Sequence, residues 1–270
     1  MTKVELVFSD IDGTLLDSKH EVTAEASQII QELLKQGTKI ILASARPPGA
    51  MVSIADEVRL SSPLVCFNGA LITQYSEGSF DDLYSLTLER QDALQLYQAV
   101  STKFPEISFN IYSGERWYVE REDEWVKQEA AIIKMDPEAI SMDYFLNEHF
   151  PVHKILCMGN PDNIQKLEDE LAVANLSNIS YHRSKDTYME IVNNQVSKLG
   201  ALHFLCEKYG VALANTLAIG DNFNDMPMII HAGKGIAMGN APDEVKQAAD
   251  CVTDTNDENG FYKALMKIFG

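Results

Sequence analysis

Apolar positions along the chain fall into two patterns. Unbroken runs at Val4–Ser9, Lys39–Ala43 and Leu64–Phe67 read as strands buried on both faces. Between the first two runs the spacing changes to helical. Val22, Ala26, Ile29, Ile30 and Leu33 share one face of a helix predicted over Val22–Gln36, and Gly37 is its stop. The alternation returns near the C-terminus. Ser197 is a candidate cap for a helix with Leu199, Leu202, Cys206 and Tyr209 on its apolar face, closed by Gly210. Runs at Thr216–Ile219, Gly235–Met238 and Cys251–Val252 predict further strands of the same sheet. Strands alternating with helices in this way predict an α/β fold built on a Rossmann-like parallel sheet covered on both faces.

The middle of the chain has a different rhythm. Phe109–Tyr112 and Trp117–Glu120 read as paired strands around Ser113, Gly114 and Glu115, and Val152–Met158 as another strand. A helix follows, with Pro161 in its first turn and Ile164, Leu167 and Leu171 on one face. Ile179–His182 and Met189–Val192 complete the strand pattern. Such a segment, of roughly 105 residues, is long enough for a core of its own. The expected organisation is therefore a parallel-sheet core, 1–83 plus 189–270, with an α+β domain, 84–188, inserted into it.

Charge narrows the partners. The 270 residues carry 22 Lys and Arg against 40 Asp and Glu, a formal charge of −18. Nucleic acid and anionic membrane surfaces want basic stripes and are poor partners for such a chain. No apolar run approaches the roughly 20 residues of a spanning helix. Glu5 and Asp10 interrupt the first apolar stretch, which argues against a signal peptide. Cys66, Cys157, Cys206 and Cys251 are far apart in sequence, the usage expected of reduced thiols in a cytoplasmic protein.

Acidic residues cluster where chemistry is expected. Asp10-Ile11-Asp12-Gly13-Thr14-Leu15-Leu16-Asp17 directly follows the first predicted strand. In an open parallel sheet, ligands bind outside the carboxyl ends of the strands. Two carboxylates two residues apart repel each other unless a cation lies between them, and Mg²⁺ suits a few carboxylates plus a substrate phosphate. Gly13 permits the tight turn. A second cluster, Gly220-Asp221-Asn222-Phe223-Asn224-Asp225, also follows a strand. If the two strands are neighbours, Asp221 reaches the same ion, with Asn222, Asn224 and Asp225 as ligands or supports. Ser44 ends the second strand and offers a hydroxyl to a phosphate oxygen, while Arg46 is a candidate to cover a helix end. Lys198 occupies the first turn of its helix, where the macrodipole disfavours a cation and a bound phosphate would supply the missing anion. Taken singly, a pair of acids is often a turn, a serine a cap and a lysine a solvated side chain. Together they fall at strand ends, or at the helix starts that follow, in one sheet.

In order and spacing, the Asp10–Asp17 run, the strand ending in Ser44, Lys198 and the Gly220–Asp225 run resemble the four motifs of the haloacid dehalogenase-like phosphatases. An insertion between the second and third motifs, together with Asn68-Gly69-Ala70 and Asn256-Asp257-Glu258-Asn259-Gly260, resembles the Cof-type subgroup and its α/β cap. This resemblance implies Asp10 as the nucleophile that forms an aspartyl-phosphate, and Asp12 as the acid and base for the leaving group and the water. It implies Mg²⁺ held by Asp10, Asp221 and the backbone carbonyl of Asp12. It places Ile11, Ser44, Ala45, Lys198 and Asn224 around the phosphoryl group, with Asn222, Asp225 and Arg46 behind them. The implied substrate is a small phosphorylated metabolite such as a sugar phosphate, its leaving group under a cap that opens and closes. Arg116, Arg121, His182, Arg183, Lys185 and Tyr188 are candidate contacts in that cap.

The chain departs from the subgroup's pattern at two places. Leu199 follows the motif lysine where Gly is usual, and Ser44-Ala45-Arg46 stands where Thr-Gly-Arg is usual. His149 and His153 have a helical metal-binding spacing, but Pro151 between them argues against the helix. Trp117 and Trp125 are expected in the core of the cap. Two other functions share much of the motif set. One is a sugar phosphomutase of the phosphomannomutase kind, separable by assaying isomerised product. The other is a phospho-acceptor module of the receiver type, which is shorter and carries its acceptor on a later strand.

Overall fold

Leu6–Asp10 (β1) is buried at every position, as an apolar run without alternation requires. The structure is a computed structural model describing residues 3–174 and 176–270. Met1, Thr2 and Asn175, which fall within the expected segments 1–83 and 84–188, lie outside the described residues. After β1 comes helix α1 (Ala24–Lys35), whose cap Thr23 accepts a hydrogen bond from the Ala26 N–H at 3.2 Å. This helix buries Ala26, Ile29, Ile30 and Leu33. Then follow β2 (Lys39–Ala43), α2 (Pro48–Glu57), β3 (Leu64–Cys66), β4 (Leu71–Ser76) and β5 (Ser79–Ser85). The middle contributes α3 (Arg90–Lys103), β6 (Ser108–Ser113), β7 (Arg116–Val119), α4 (Glu124–Ile133), β8 (Glu138–Ala139) and α5 (Met142–Asn147). It continues through β9 (Lys154–Met158), α6 (Pro161–Val173), β10 (Ile179–Lys185) and β11 (Tyr188–Asn193). The chain ends with α7 (Lys198–Tyr209), β12 (Thr216–Gly220), α8 (Met226–His231), β13 (Lys234–Ala237), α9 (Asp243–Ala248), β14 (Cys251–Val252) and α10 (Gly260–Phe269).

These elements form two compact units. The first comprises residues up to Ala45, Met51–Leu83 and Ser197–Gly270. Its eight-stranded sheet runs β14-β13-β12-β1-β2-β3-β4-β5. Pairings from β14 to β3 are parallel, as helical crossovers demand. β4 returns antiparallel to β3 after a turn too short for a crossover. From β1 the chain builds outward through β2 and β3, and later through β12, β13 and β14 on the other side. The strand order therefore reverses at β1, the place where open α/β sheets form a binding crevice.

The second unit comprises Arg46–Ala50 and Tyr84–Val196. Its sheet runs β10-β11-β9-β6-β7-β8 and is antiparallel apart from the β7–β8 pair. Ile155 and Cys157 of β9 and Met189 and Ile191 of β11 join a core with Leu96 and Val100 of α3 and Ile164 and Leu167 of α6. Trp117 is fully buried, whereas Trp125 is half-buried and outside that core cluster. The boundary expected after residue 188 moves to the Val196/Ser197 junction, because β11 pairs with β9 and β10 and stays in this unit. A buried apolar run does not announce which of two sheets it joins; that depends on pairing partners far away in sequence.

Candidate active site

Strand register brings the acidic clusters together. Asp10 pairs with Ala43, and Ser9 with Ile219, so Asp10 ends β1 with Ser44 on one side and the Gly220–Asp225 loop on the other. The Ile11 carbonyl gathers the N–H groups of Thr14, Leu15 and Leu16, which turns the chain sharply after Asp10. Gly13 completes that turn with φ +81°, and a Cβ there would meet Asp221 Oδ2 at 2.5 Å. Only glycine lets the two loops approach so closely. Gly220 serves the other loop similarly: a Cβ would meet the Asp225 Cβ and Cγ at 2.5 Å.

Lys198 enters from the start of α7. Ser197 caps that helix, its Oγ accepting from the Gly200 N–H at 3.0 Å. The lysine is only 1 % exposed, and its ammonium donates to Asp10 Oδ1 and Asp225 Oδ1, each at 2.5 Å. Buried cations survive only with such partners. The other oxygen of Asp225 accepts the backbone N–H groups of Asp221 and Asn222 at 3.0 Å each, so this carboxylate fixes the loop and the lysine together. Asn222 Oδ1 accepts from the Phe223 N–H at 2.8 Å. Asn224 Nδ2 donates to Asn68 Oδ1 at 3.0 Å, which brings the Asn68-Gly69-Ala70 turn into the same cluster.

Carboxyl oxygens of Asp10, Asp221 and Asp225 lie within 4.8 Å of one another. Among the described residues this is the group that can hold a metal ion. The expected set has the backbone carbonyl of Asp12 beside the carboxylates of Asp10 and Asp221; the Asp225 carboxylate also lies with those two, and the Asp12 side chain lies outside the group. Asp12 is 42 % exposed there, with Ser44 Oγ at 3.4 Å and His20 Nδ1 at 3.8 Å. Asp10 ends β1 while Asp12 lies in the turn that follows, so the two side chains point apart, which spacing in the sequence does not reveal. Ile11 is fully buried, and Ala45 and Arg46 are half-buried in the loop after β2. Arg46 falls in the second compact unit.

The charges do not balance. Burial pushes the Asp10 carboxyl well above the usual range; Lys198 opposes this, while Asp225 and Asp221 reinforce it. Burial and then Asp225 raise Asp221 to about 6, against a hydrogen bond from Thr14. Burial lowers the Lys198 pKa, but Asp10 and Asp225 outweigh it and keep the ammonium protonated. One ammonium faces three carboxylates. The donor set is all oxygen and carries excess negative charge, which fits a hard dication.

Three residues here had no role in the sequence reading. Thr14 Oγ1 donates to Asp221 Oδ1 at 3.1 Å. Asn240 Nδ2 lies 3.3 Å from Asp221 Oδ2 and donates to the Gly13 carbonyl at 2.9 Å. His20, in the left-handed region at φ 61°, stands beside Asp12. Asn240 had a usable signal, since it lies just beyond the carboxyl end of β13, the strand next to β12.

Known proteins resemble this chain over nearly its whole length. The profile of a haloacid dehalogenase-like hydrolase family matches residues 7–265. A Haemophilus influenzae protein, provisionally named a phosphatase, is 33% identical over 264 residues, covering 97% of each chain. A Bacillus subtilis 5-amino-6-(5-phospho-D-ribitylamino)uracil phosphatase is 30% identical, covering 97% of this chain and 94% of that protein. The crystal structure of a haloacid dehalogenase-like hydrolase from Bacteroides thetaiotaomicron superposes with a TM-score of 0.89 at 32% identity, covering 99% of this chain and 100% of that one. Four sequence motifs, a reversed strand order at β1, one acid–lysine cluster and relatives of matching length converge on one assignment: the chain belongs to the haloacid dehalogenase-like hydrolases, in their Cof-type branch, and is a phosphatase.

Proposed function

We propose that this phosphatase hydrolyses small phosphorylated metabolites, sugar phosphates among them, with Mg²⁺ and through an aspartyl-phosphate on Asp10. The observation that carries this reading is the cluster of three carboxylates, two of them buried and bonded to one buried lysine. A phosphoryl group arriving there meets a nucleophile and a fixed positive charge together. Phosphoryl transfer needs chiefly positioning and neutralisation of charge.

In this reading an Asp10 carboxylate oxygen attacks phosphorus as the bond to the leaving oxygen breaks. Asp12 gives its proton to that oxygen, then takes one from the water that attacks the acyl-phosphate and regenerates Asp10. The exposure of the Asp12 side chain supports this role, since a carboxyl outside the trio can exchange protons. Lys198 and Ser44 hold the phosphoryl oxygens, with Ile11, Ala45 and Asn224 assisting. Asp10, Asp221 and the Asp12 carbonyl would hold Mg²⁺, whose positive charge would offset the negative charge of the phosphoryl oxygens. Asp225 is already engaged by three N–H donors, and its part is to hold Lys198 and the loop. Asn222 and Arg46 stand behind these groups. The inserted domain acts as the cap and discriminates among leaving groups. The action of the B. subtilis relative on a phosphorylated ribityl compound supports a polyol or sugar phosphate as the class.

The test is phosphate release from a panel of sugar phosphates and a chromogenic aryl phosphate, with Mg²⁺ and with chelator. The native protein is expected to turn over only with metal, and folded Asp10→Asn not at all. Undiminished release by the mutant would remove Asp10 as nucleophile, and release unaffected by chelator would remove the metal.

A further inference from the structure

We propose that Asn240 is a positioning residue that orients Asp221 for the divalent cation, held in turn by a strap from Asn256. The inference rests on the metal reading above.

A carboxylate ligand binds best when its rotamer is fixed before the ion arrives. Asp221 is fixed from both sides. Its Oδ1 accepts from Thr14 Oγ1 at 3.1 Å, and its Oδ2 faces Asn240 Nδ2 at 3.3 Å. The same amide nitrogen donates to the Gly13 carbonyl at 2.9 Å, so Asn240 ties the Asp221 carboxylate to the turn that follows Asp10. Its own orientation is settled by a third contact. The Asn256 N–H donates to Asn240 Oδ1 at 3.1 Å, which leaves the nitrogen end of the amide turned to Asp221. Asn256 is anchored in its turn, its Nδ2 donating to the Leu16 carbonyl at 2.9 Å. One residue on, Asp257 Oδ1 accepts the Ser18 N–H at 2.8 Å. Three loops distant in sequence, after β1, after β13 and before α10, are thus tied together around one carboxylate.

Asn240 is exposed, and its three polar connections are its contribution to the site. A role in joining loops would show in stability alone. A role in orienting Asp221 shows in metal affinity, because losing a hydrogen-bond partner of a metal ligand typically weakens binding about 10–100-fold.

The experiment is Mn²⁺ binding to the full chain without substrate, read by electron paramagnetic resonance, alongside chelated thermal unfolding. Asn240→Ala is expected to bind Mn²⁺ about 10–100-fold more weakly than native. Its phosphate release should need correspondingly more Mg²⁺ for half-saturation, while turnover at saturating Mg²⁺ stays close to native. Asn256→Ala only loosens Asn240 and should weaken Mn²⁺ binding less; it carries the test if Asn240→Ala does not fold. Native affinity in a folded Asn240→Ala overturns the proposal, whatever its unfolding temperature, as does a turnover loss that saturating Mg²⁺ fails to restore. If the native chain itself binds no Mn²⁺, the metal reading fails and this inference fails with it. Tight native binding left unchanged by both variants removes the inference alone.

Discussion

Each unit of the molecule buries a lysine against carboxylate, and the two lysines sit in opposite electrostatic situations. In the second unit Lys154 on β9 meets Glu190 on β11 at 3.3 Å, both nearly inaccessible. Burial pushes the Glu190 carboxyl up, but Lys154 and His182 pull harder and leave it below the usual range. In the first unit Lys198 is divided between Asp10 and Asp225, with Asp221 close by, and Asp10 ends well above the usual range. The matched pair is stable as it stands. The unmatched cluster retains a demand for positive charge, and it is the one at the crevice of a parallel sheet. Burial of a salt bridge therefore says little by itself about function; the local charge balance says more.

The sharpest way to break the comparison is to remove the nucleophile. Asp10→Asn should fold and reduce phosphate release to background, and Asp12→Asn should cost about 10²- to 10⁴-fold. Circular dichroism alongside the assay separates lost chemistry from lost structure.

Next in size come the lysines. Lys154→Met leaves Glu190 buried without its partner and should cost about 3–5 kcal/mol in urea unfolding. Adding Glu190→Leu to that variant should recover most of the loss, because an apolar pair can replace a matched buried ion pair. The corresponding double change in the first unit, Lys198→Met with Asp225→Leu, should leave the enzyme inactive even where it folds. Recovery of turnover there would put Lys198 in the same structural class as Lys154.

The smallest effect is in pH. The folded pKa of Asp221, about 6, lies above its unfolded value. Its stabilising contribution is therefore complete below the ordinary carboxylate range and is lost as pH rises through about 6. Chelated native protein should gain stability from this group on acidification from pH 7 toward 5, and Asp221→Asn should lack that gain. Over the same interval Mg²⁺ binding should weaken, since the ion needs Asp221 ionised. Glu190 works with the opposite sign: its contribution is present above the unfolded value and is lost as pH falls through its lowered folded pKa. Its loss belongs at lower pH, outside the window assigned to Asp221.

The strands at both ends of the first unit could be read from their unbroken apolar runs, and helix α1 from its apolar stripe and its stop at Gly37. Other elements were not singled out, the longer helices α3 and α10 among them, and several are short or exposed: β5 is largely exposed, β8 is two exposed residues, and α8 and α9 are six-residue helices. Lys198 shows where reading residues singly fails. An isolated lysine is ordinarily a solvated side chain, yet this one is almost inaccessible, and only its anomalous place in a helix's first turn marked it.

By itself, the sequence determined the residue types, their spacing and their order. That was enough for an α/β core and for placing Asp10, Asp12, Ser44, Lys198 and Asp221 after predicted strands or at a helix start, because periodicity and local turn chemistry are properties of neighbouring residues. Tertiary structure decided everything that depends on distant partners. It set the second unit's end at Val196, because β11 found β9 and β10. It put the carboxyl of Asp225 beside those of Asp10 and Asp221, because the loop after β12 folds back under Gly220, and it left the Asp12 side chain partly exposed. It brought Asn240 to the Asp221 carboxylate and Asn256 to Asn240, from loops more than 200 residues after Gly13 and Leu16. Charge balance at the site followed only then, since Coulomb interaction depends on separation in space and on burial, and neither is written in the order of residues.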